Sequence, residues 1–319
     1  MRFVWLFKHA VENPLSVTPP RSLPNGGAYP DFLCVGAQRS GTTWLYEHLH
    51  LHPDFWMPPR KELHYFDELC RARRFGPPRN EDERDLRFVE AMQRLSDQPF
   101  MDLEGYGRLF ELKGALISGD ITPAYSTLNE EIIAQIMKRF PKLKVIFLAR
   151  DPVERALSQL SMHVHLELSH PFDVTDVEEV IRRLLRPGTL LRSHPSKIVA
   201  RWRRHVPPEQ FRIYFFEQLE RTPAALFRSI VCFLGGDPGR TRARLNRKEK
   251  VNSRGKLLFP NQVRSRVARF FEPELKACAA ELGGPATGWP RRYGLSMLVF
   301  FFSIFDDVLD LIVSFDWAV

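Results

Sequence analysis

The chain lacks the features that mark several whole classes of protein. Only four cysteines occur in 319 residues, Cys34, Cys70, Cys232 and Cys278, and none is close to another in sequence. That spacing excludes a disulfide-dense scaffold and any CxxC zinc or redox motif. Cys34 and Cys232 sit in apolar runs and read as small core residues. Isolated thiols of this kind fit a reducing, cytoplasmic setting. The ten histidines are scattered without metal-ligand spacing, so no metal is expected; His48, His50 and His52 read as helix surface and turn. Long hydrophobic runs are also missing. Residues 1–10 hold a few apolar side chains before Lys8 and His9, too short for a membrane span and without a signal-peptide cleavage pattern. Leu295 to Phe305 is almost wholly apolar but is only eleven residues long before Asp306, Asp307 and Asp310 interrupt it. A bilayer-spanning helix needs about 20 residues. Repeats and low-complexity segments are absent.

What is present describes a folded α/β protein. The chain is 44% hydrophobic, enough for a sizeable core, and carries a formal net charge of +8. That balance suits an anionic ligand: nucleic acid, an anionic membrane or a polyphosphorylated nucleotide. Residues 1–30, with five prolines after position 13 and Asn25-Gly26-Gly27, read as an extended leader. A domain is expected over 31–294, followed by an apolar helix over 295–319. That helix would pack on the domain, bury itself in a homo-oligomer, or lie peripherally on a membrane, the last weakened by its acidic flanks.

Phe32 to Gly36 and Lys144 to Ala149 have the continuous apolar pattern of buried parallel strands. Ile117 to Thr122 and Phe211 to Phe216 are weaker strand candidates. Helical patterns cover Trp44 to His50, Glu130 to Phe140, Val153 to His165 and Ala224 to Leu234. The charged, proline-bearing stretch 71–90 reads as a surface insertion. Alternating strands and helices predict a parallel sheet flanked by helices, with ligands at the C-terminal strand ends.

Two motifs fall at such ends. The first is Gly36-Ala37-Gln38-Arg39-Ser40-Gly41-Thr42-Thr43-Trp44. Between a strand and a helix, its consecutive N–H groups and the helix dipole make an anion site, with hydroxyls from Ser40, Thr42 and Thr43 and charge from Arg39. A triphosphatase loop would place lysine where Thr42 stands. The second is Arg150-Asp151-Pro152 with Ser158 on the following helix. A third segment, Lys61-Glu62-Leu63-His64-Tyr65-Phe66, puts a carboxylate near an imidazole; if it is extended, Glu62 and His64 share one face and can take a proton from an acceptor hydroxyl. Tyr65 and Phe66 read as core or pocket wall.

These three segments, in this order, resemble the 3′-phosphoadenosine-5′-phosphosulfate (PAPS)-dependent sulfotransferases, closest to the heparan-sulfate-type and bacterial branch. The resemblance implies a central parallel sheet flanked by helices, related to the P-loop nucleotide kinases. It implies that Arg39, Ser40, Gly41, Thr42, Thr43 and Trp44 hold the 5′-phosphosulfate and that Arg150 and Ser158 hold the 3′-phosphate. It implies that Glu62 is the catalytic base, with His64 as helper or alternative. Arg39 stands where the family has lysine; arginine keeps its proton, so its role is charge stabilisation. Gly119-Asp120-Ile121-Thr122-Pro123-Ala124-Tyr125 resembles a further family element in which Ile121 replaces a lysine, with Asp120, Thr122 and Tyr125 as wall residues. Arg240 to Lys256 holds eight basic residues, and within it Arg254, Gly255 and Lys256 are the expected nucleotide-loop contacts. The implied reaction is sulfuryl transfer to a hydroxyl or amine of a glycan, lipid or small metabolite. The alternatives are a P-loop kinase, a nucleotide-binding protein without sulfuryl transfer, and a nucleic-acid binder. The last lacks any recognisable module.

Overall fold

Residues 29–68, 82–240 and 257–296 are described by a computed structural model. In chain order they form strand β1 (Phe32–Gly36), helices α1 (Thr42–His50), α2 (Glu83–Ser96) and α3 (Leu103–Arg108), strand β2 (Gly119–Ile121), helix α4 (Glu130–Arg139) and strand β3 (Lys144–Ala149). There follow α5 (Pro152–His165), α6 (Val177–Leu184), α7 (Pro187–Leu190), α8 (Pro195–Arg203), strand β4 (Phe211–Phe215), α9 (Phe216–Arg221), α10 (Pro223–Leu234), α11 (Asn261–Phe270), α12 (Glu272–Glu281) and α13 (Trp289–Arg292). The chain divides into two compact units. Of the described residues, one comprises those up to Leu148 together with Arg201–Tyr214 and 218–240; the other comprises Ala149–Ala200, Phe215–Glu217 and 257–296.

The first unit is built on the sheet, in the order β2-β1-β3-β4. β1 runs parallel to β2 and to β3, with Phe32 opposite Gly119 on one side and Lys144 on the other. Every residue of β1 is buried, which is why its sequence is a continuous apolar run rather than an alternating one. The order reverses at β1: the chain passes to β2 on one flank, then crosses to β3 on the other. A reversal of this kind opens a crevice at the carboxyl ends of the strands, and the loop after β1 leaves from there. Ala37 N–H donates to Leu148 O at 2.9 Å, tying the start of that loop to β3. The core beneath packs Phe32, Cys34 and Ile146 of the sheet against Trp44 and Leu45 of α1 and Phe227 and Ile230 of α10.

Local signals set the helix ends. Asn129 caps α4 by accepting from Ile132 N–H at 2.9 Å, Glu130 and Glu131 sit in its first turn, and Lys138 and Arg139 in its last. These charges oppose the helix dipole at each end. α10 stops at Gly235, whose φ of 102° suits a residue without Cβ.

Several expectations are corrected. Within the stretch 71–90, read as a surface insertion, residues 83–90 open a helix that packs on the core: α2 starts at Glu83, capped by Asp82, and buries Phe88, Met92 and Leu95. Residues 69–81 lie outside the described chain, as do the leader up to residue 28 and the C-terminal segment from 297. The weak strand at 117–122 shortens to β2, and Ile117 instead bridges to Phe55. Cys232 is exposed, because Val231 and Leu234 take the inward face of α10; Cys34 and Cys278 are buried, and all three are free thiols. His48 and His52 are core rather than surface. His48 lies against Trp44 and Phe227, with Nδ1 2.7 Å from Trp44 O. His52 packs on Phe55 and accepts Asp54 N–H at 3.2 Å.

The second unit is helical. α5 and α11 pack on α6. Arg155 of α5 is fully buried, bonded to Gln159, Ser193 and the carbonyl of Thr189. Glu274 of α12 accepts from both the amide and hydroxyl of Ser196 at 2.8 Å, closing the start of α8. Among the described residues no helix is long and apolar enough to cross a membrane.

Candidate active site

The loop after β1 leaves the strand at Gly36, whose φ is 154°; a Cβ there would meet the Phe147 ring at 2.8 Å. Gly41 sits at the N-cap of α1 with φ 95°, and no side chain caps the helix. The first turn also has no acidic residue. The exposed amide dipoles of α1 therefore face a loop that carries positive charge and nothing negative. Arg39 sits between the two glycines in the left-handed region, φ 69°. Burial pulls its guanidinium below the usual value, yet an arginine stays cationic at neutral pH. Ser40 is 1% exposed, and among the described residues its Oγ has no hydrogen-bond partner; nor has Gln38 Oε1. Buried polar atoms are almost always satisfied, so an orphaned hydroxyl in an anion-ready loop is where a ligand oxygen fits. Thr42 is buried and Thr43 partly so. The Trp44 ring lies in the core.

The Glu62 segment is not extended. Glu62 and His64 adopt φ of 63° and 55°, both left-handed, on either side of the buried Leu63. This geometry still brings the two side chains together: Glu62 Oε2 lies 3.4 Å from His64 Nε2. Glu62 Oε1 forms an ion pair with Lys61. His64 Nδ1 is 2.8 Å from Asp67 Oδ2, which orients the ring. Burial pushes the Glu62 carboxyl up, but the hydrogen bond from His64 and the charge and hydrogen bond of Lys61 outweigh it and hold the group at about 2. Glu62 is thus an ionised acceptor at any ordinary pH. Tyr65 and Phe66 are core: Tyr65 stacks on Tyr106 at 5.2 Å between centroids, and Phe66 lies 5.0 Å from Tyr125.

Asp120, Thr122 and Tyr125, expected as wall residues, are instead fully buried and bonded to one another. Asp120 accepts from Thr122 Oγ1 and from Tyr125 OH, both at 2.7 Å, and from Tyr106 OH at 3.1 Å. Ile121 points into the core with Cys34 and Phe32. The position that carries lysine in the heparan-sulfate-type branch is here a packing residue.

Arg150 and Ser158 belong to the second unit. Arg150 is 8% exposed, its guanidinium 4.2 Å from the centre of the Phe216 ring, a cation–π contact that fixes its direction. Its neighbour Asp151 is buried and caps α5 by accepting from Val153 N–H at 2.9 Å. Asp151 Oδ2 also accepts from Arg292 and from Tyr293 OH, each at 2.9 Å. Burial pushes Asp151 up to about 6 against the pull of Arg292 and Tyr293. Sequence inspection missed Phe216, Arg292 and Tyr293, because nothing local relates them to Arg150. Ser158 is partly buried on α5, two turns from Arg150. Arg254, Gly255 and Lys256 lie outside the described residues.

Comparison with known proteins bears on the family and the fold. Residues 30–237 match the model of a sulfotransferase family. Over 160 residues the chain is 26% identical to the membrane-associated sulfotransferase kil1 of Dictyostelium discoideum, covering 48% of this chain and 28% of that protein. It is 27% identical over 213 residues to heparan sulfate glucosamine 3-O-sulfotransferase 3A1 of Mus musculus, covering 65% and 46%. The chain thus spans half or less of the length of these two relatives. A solved sulfotransferase from Alicyclobacillus acidocaldarius shares the fold with a TM-score of 0.59 at 24% identity, covering 82% of this chain and 99% of the other. On the family match over well more than half its length, the chain belongs to the sulfotransferase family.

Proposed function

We propose that the chain transfers a sulfuryl group from PAPS to an acceptor hydroxyl or amine. The observation that carries this reading is the loop of Gly36 to Thr43, with its basic Arg39, its uncapped helix start and its orphaned Ser40 hydroxyl. A 5′-phosphosulfate supplies the anionic oxygens that such a loop lacks. Arg150 and Ser158 are assigned to the 3′-phosphate, the group that distinguishes PAPS from ATP. No metal ion is part of the proposal.

In the reaction the acceptor oxygen attacks sulfur in line. The new S–O bond forms as the bond to the 5′-phosphate oxygen breaks, and the electron pair leaves with 3′-phosphoadenosine 5′-phosphate. Arg39 and the loop amides stabilise the charge growing on that leaving phosphate. The acceptor proton passes to Glu62. A carboxylate held near 2 is a weak base, so transfer is late: the hydroxyl becomes acidic enough only as the bond to sulfur forms. His64 holds Glu62 in place and is the alternative acceptor. With Ile121 in place of a cation, the acceptor side of the site favours an uncharged hydroxyl of a glycan, lipid or metabolite over a polyanionic glycan. A cytoplasmic setting is included, on the wide separation of the four cysteines in the sequence.

The test is Glu62→Gln, read by sulfuryl transfer from PAPS alongside calorimetry with 3′-phosphoadenosine 5′-phosphate. Turnover is expected to fall by roughly 100-fold or more while nucleotide affinity is unchanged. Near-normal turnover would remove Glu62 from the chemistry.

A further inference from the structure

We propose that Asp120 and Tyr125 are positioning residues for the Glu62–His64 pair, acting through the backbone beside His64. This inference rests on the assignment of Glu62 as base, and its test keeps the two separable.

Glu62 and His64 are brought within 3.4 Å of each other by two left-handed residues in a three-residue turn. Side chains with a Cβ rarely adopt that region, so the turn needs outside restraint. The amide that follows His64 provides such a restraint. Tyr65 N–H donates to Tyr125 OH at 3.1 Å. Tyr125 OH in turn donates to Asp120 at 2.7 Å. The backbone beside His64 is therefore tied, through Tyr125, to the Asp120 carboxylate.

That carboxylate is suited to the task. Asp120 is 1% exposed at the centre of β2, and Tyr106, Thr122 and Tyr125 are fully buried around it. Its oxygens receive three hydroxyls, Thr122 on one and the two phenols on the other. An amide at this position would turn one oxygen into a donor, and the Thr122 hydroxyl would have to reverse to accept it. The aromatic stack of Tyr65, Phe66, Tyr106 and Tyr125 holds the network rigid against the sheet.

The experiment is a double-mutant cycle of Tyr125→Phe with Glu62→Gln, measured as kcat and KM for PAPS, together with the carboxyl titration of Glu62 by NMR. Tyr125→Phe removes one hydroxyl and keeps the ring, so the stack is retained. In the wild-type background it is expected to lower kcat by roughly tenfold or more with KM for PAPS unchanged. In the Glu62→Gln background it is expected to have no further effect. The Glu62 carboxyl should move up from about 2 as its contact with His64 loosens. An equal loss of kcat in both backgrounds, or a kcat within twofold of wild type, would overturn the proposal. If Glu62→Gln keeps full turnover, the base assignment fails on its own, and the Glu62 titration then decides the positioning role: movement supports it and no movement refutes it. Should Tyr125→Phe fail to fold, Asp120→Asn is read in the same cycle with the same outcomes.

Discussion

Two carboxylates in this chain are displaced in opposite directions by their surroundings, and the signs have separate consequences. His64 and Lys61 hold Glu62 near 2, so it stays ionised from pH 8 down past any working condition and contributes no acid limb to the rate. Its contribution to stability is present above the ordinary carboxylate range and is lost as pH falls toward 2. Asp151 is the reverse. Burial raises it to about 6, so the folded state binds its proton more tightly than the unfolded chain does. Its contribution is fully present below about 4 and is lost as pH rises through about 6. Asp151→Asn should therefore flatten the fall in stability between about pH 4 and 6, seen as urea midpoints at several pH values. Wild type and variant with parallel midpoint curves would show that Asp151 titrates as an ordinary exposed group. Neither displacement was legible in the sequence. Arg292 and Tyr293 reach Asp151 from about 140 residues away, and Glu62 meets His64 across a left-handed segment that no local pattern announces.

At the scale of elements, β1 and β3 were legible because strands buried on both faces must be continuously apolar. α4 and α10 were legible from their caps and apolar faces. α2 was hidden by its charge: Phe88, Met92 and Leu95 recur at helical spacing, but arginines and acidic residues separate them. The backbone at 62–64 could be read from sequence only conditionally, as sharing a face if extended, because the group that restrains it, Tyr125, lies 60 residues beyond Tyr65. The loop after β1 has a strict requirement at Gly36. Gly36→Ala would put a Cβ 2.8 Å from the Phe147 ring in a backbone region that alanine avoids. A loss of about 1–3 kcal/mol is expected, with weakened nucleotide binding, by thermal melting and calorimetry. An unchanged melting temperature would mean that the loop relaxes freely about β3.

For the whole molecule, order along the chain carried most of the functional information. A strand, an anion loop, a Glu-x-His segment and a second basic strand end followed one another at family spacing, and the family match over residues 30–237 agrees. What order did not convey is how the acceptor side differs. Ile121, at the position of a family lysine, packs into the core, and Asp120, Thr122 and Tyr125, taken as substrate wall, turn inward onto one another. The central claim is that the nucleotide is PAPS. Its most direct test is calorimetric titration with 3′-phosphoadenosine 5′-phosphate, beside ATP with and without Mg²⁺, in the wild type and in Arg150→Ala. The expected result is tight, metal-independent binding of the 3′-phosphorylated nucleotide that falls by roughly tenfold or more in the variant. Tight Mg²⁺-dependent binding of ATP, with no response to the 3′-phosphorylated nucleotide, would contradict it.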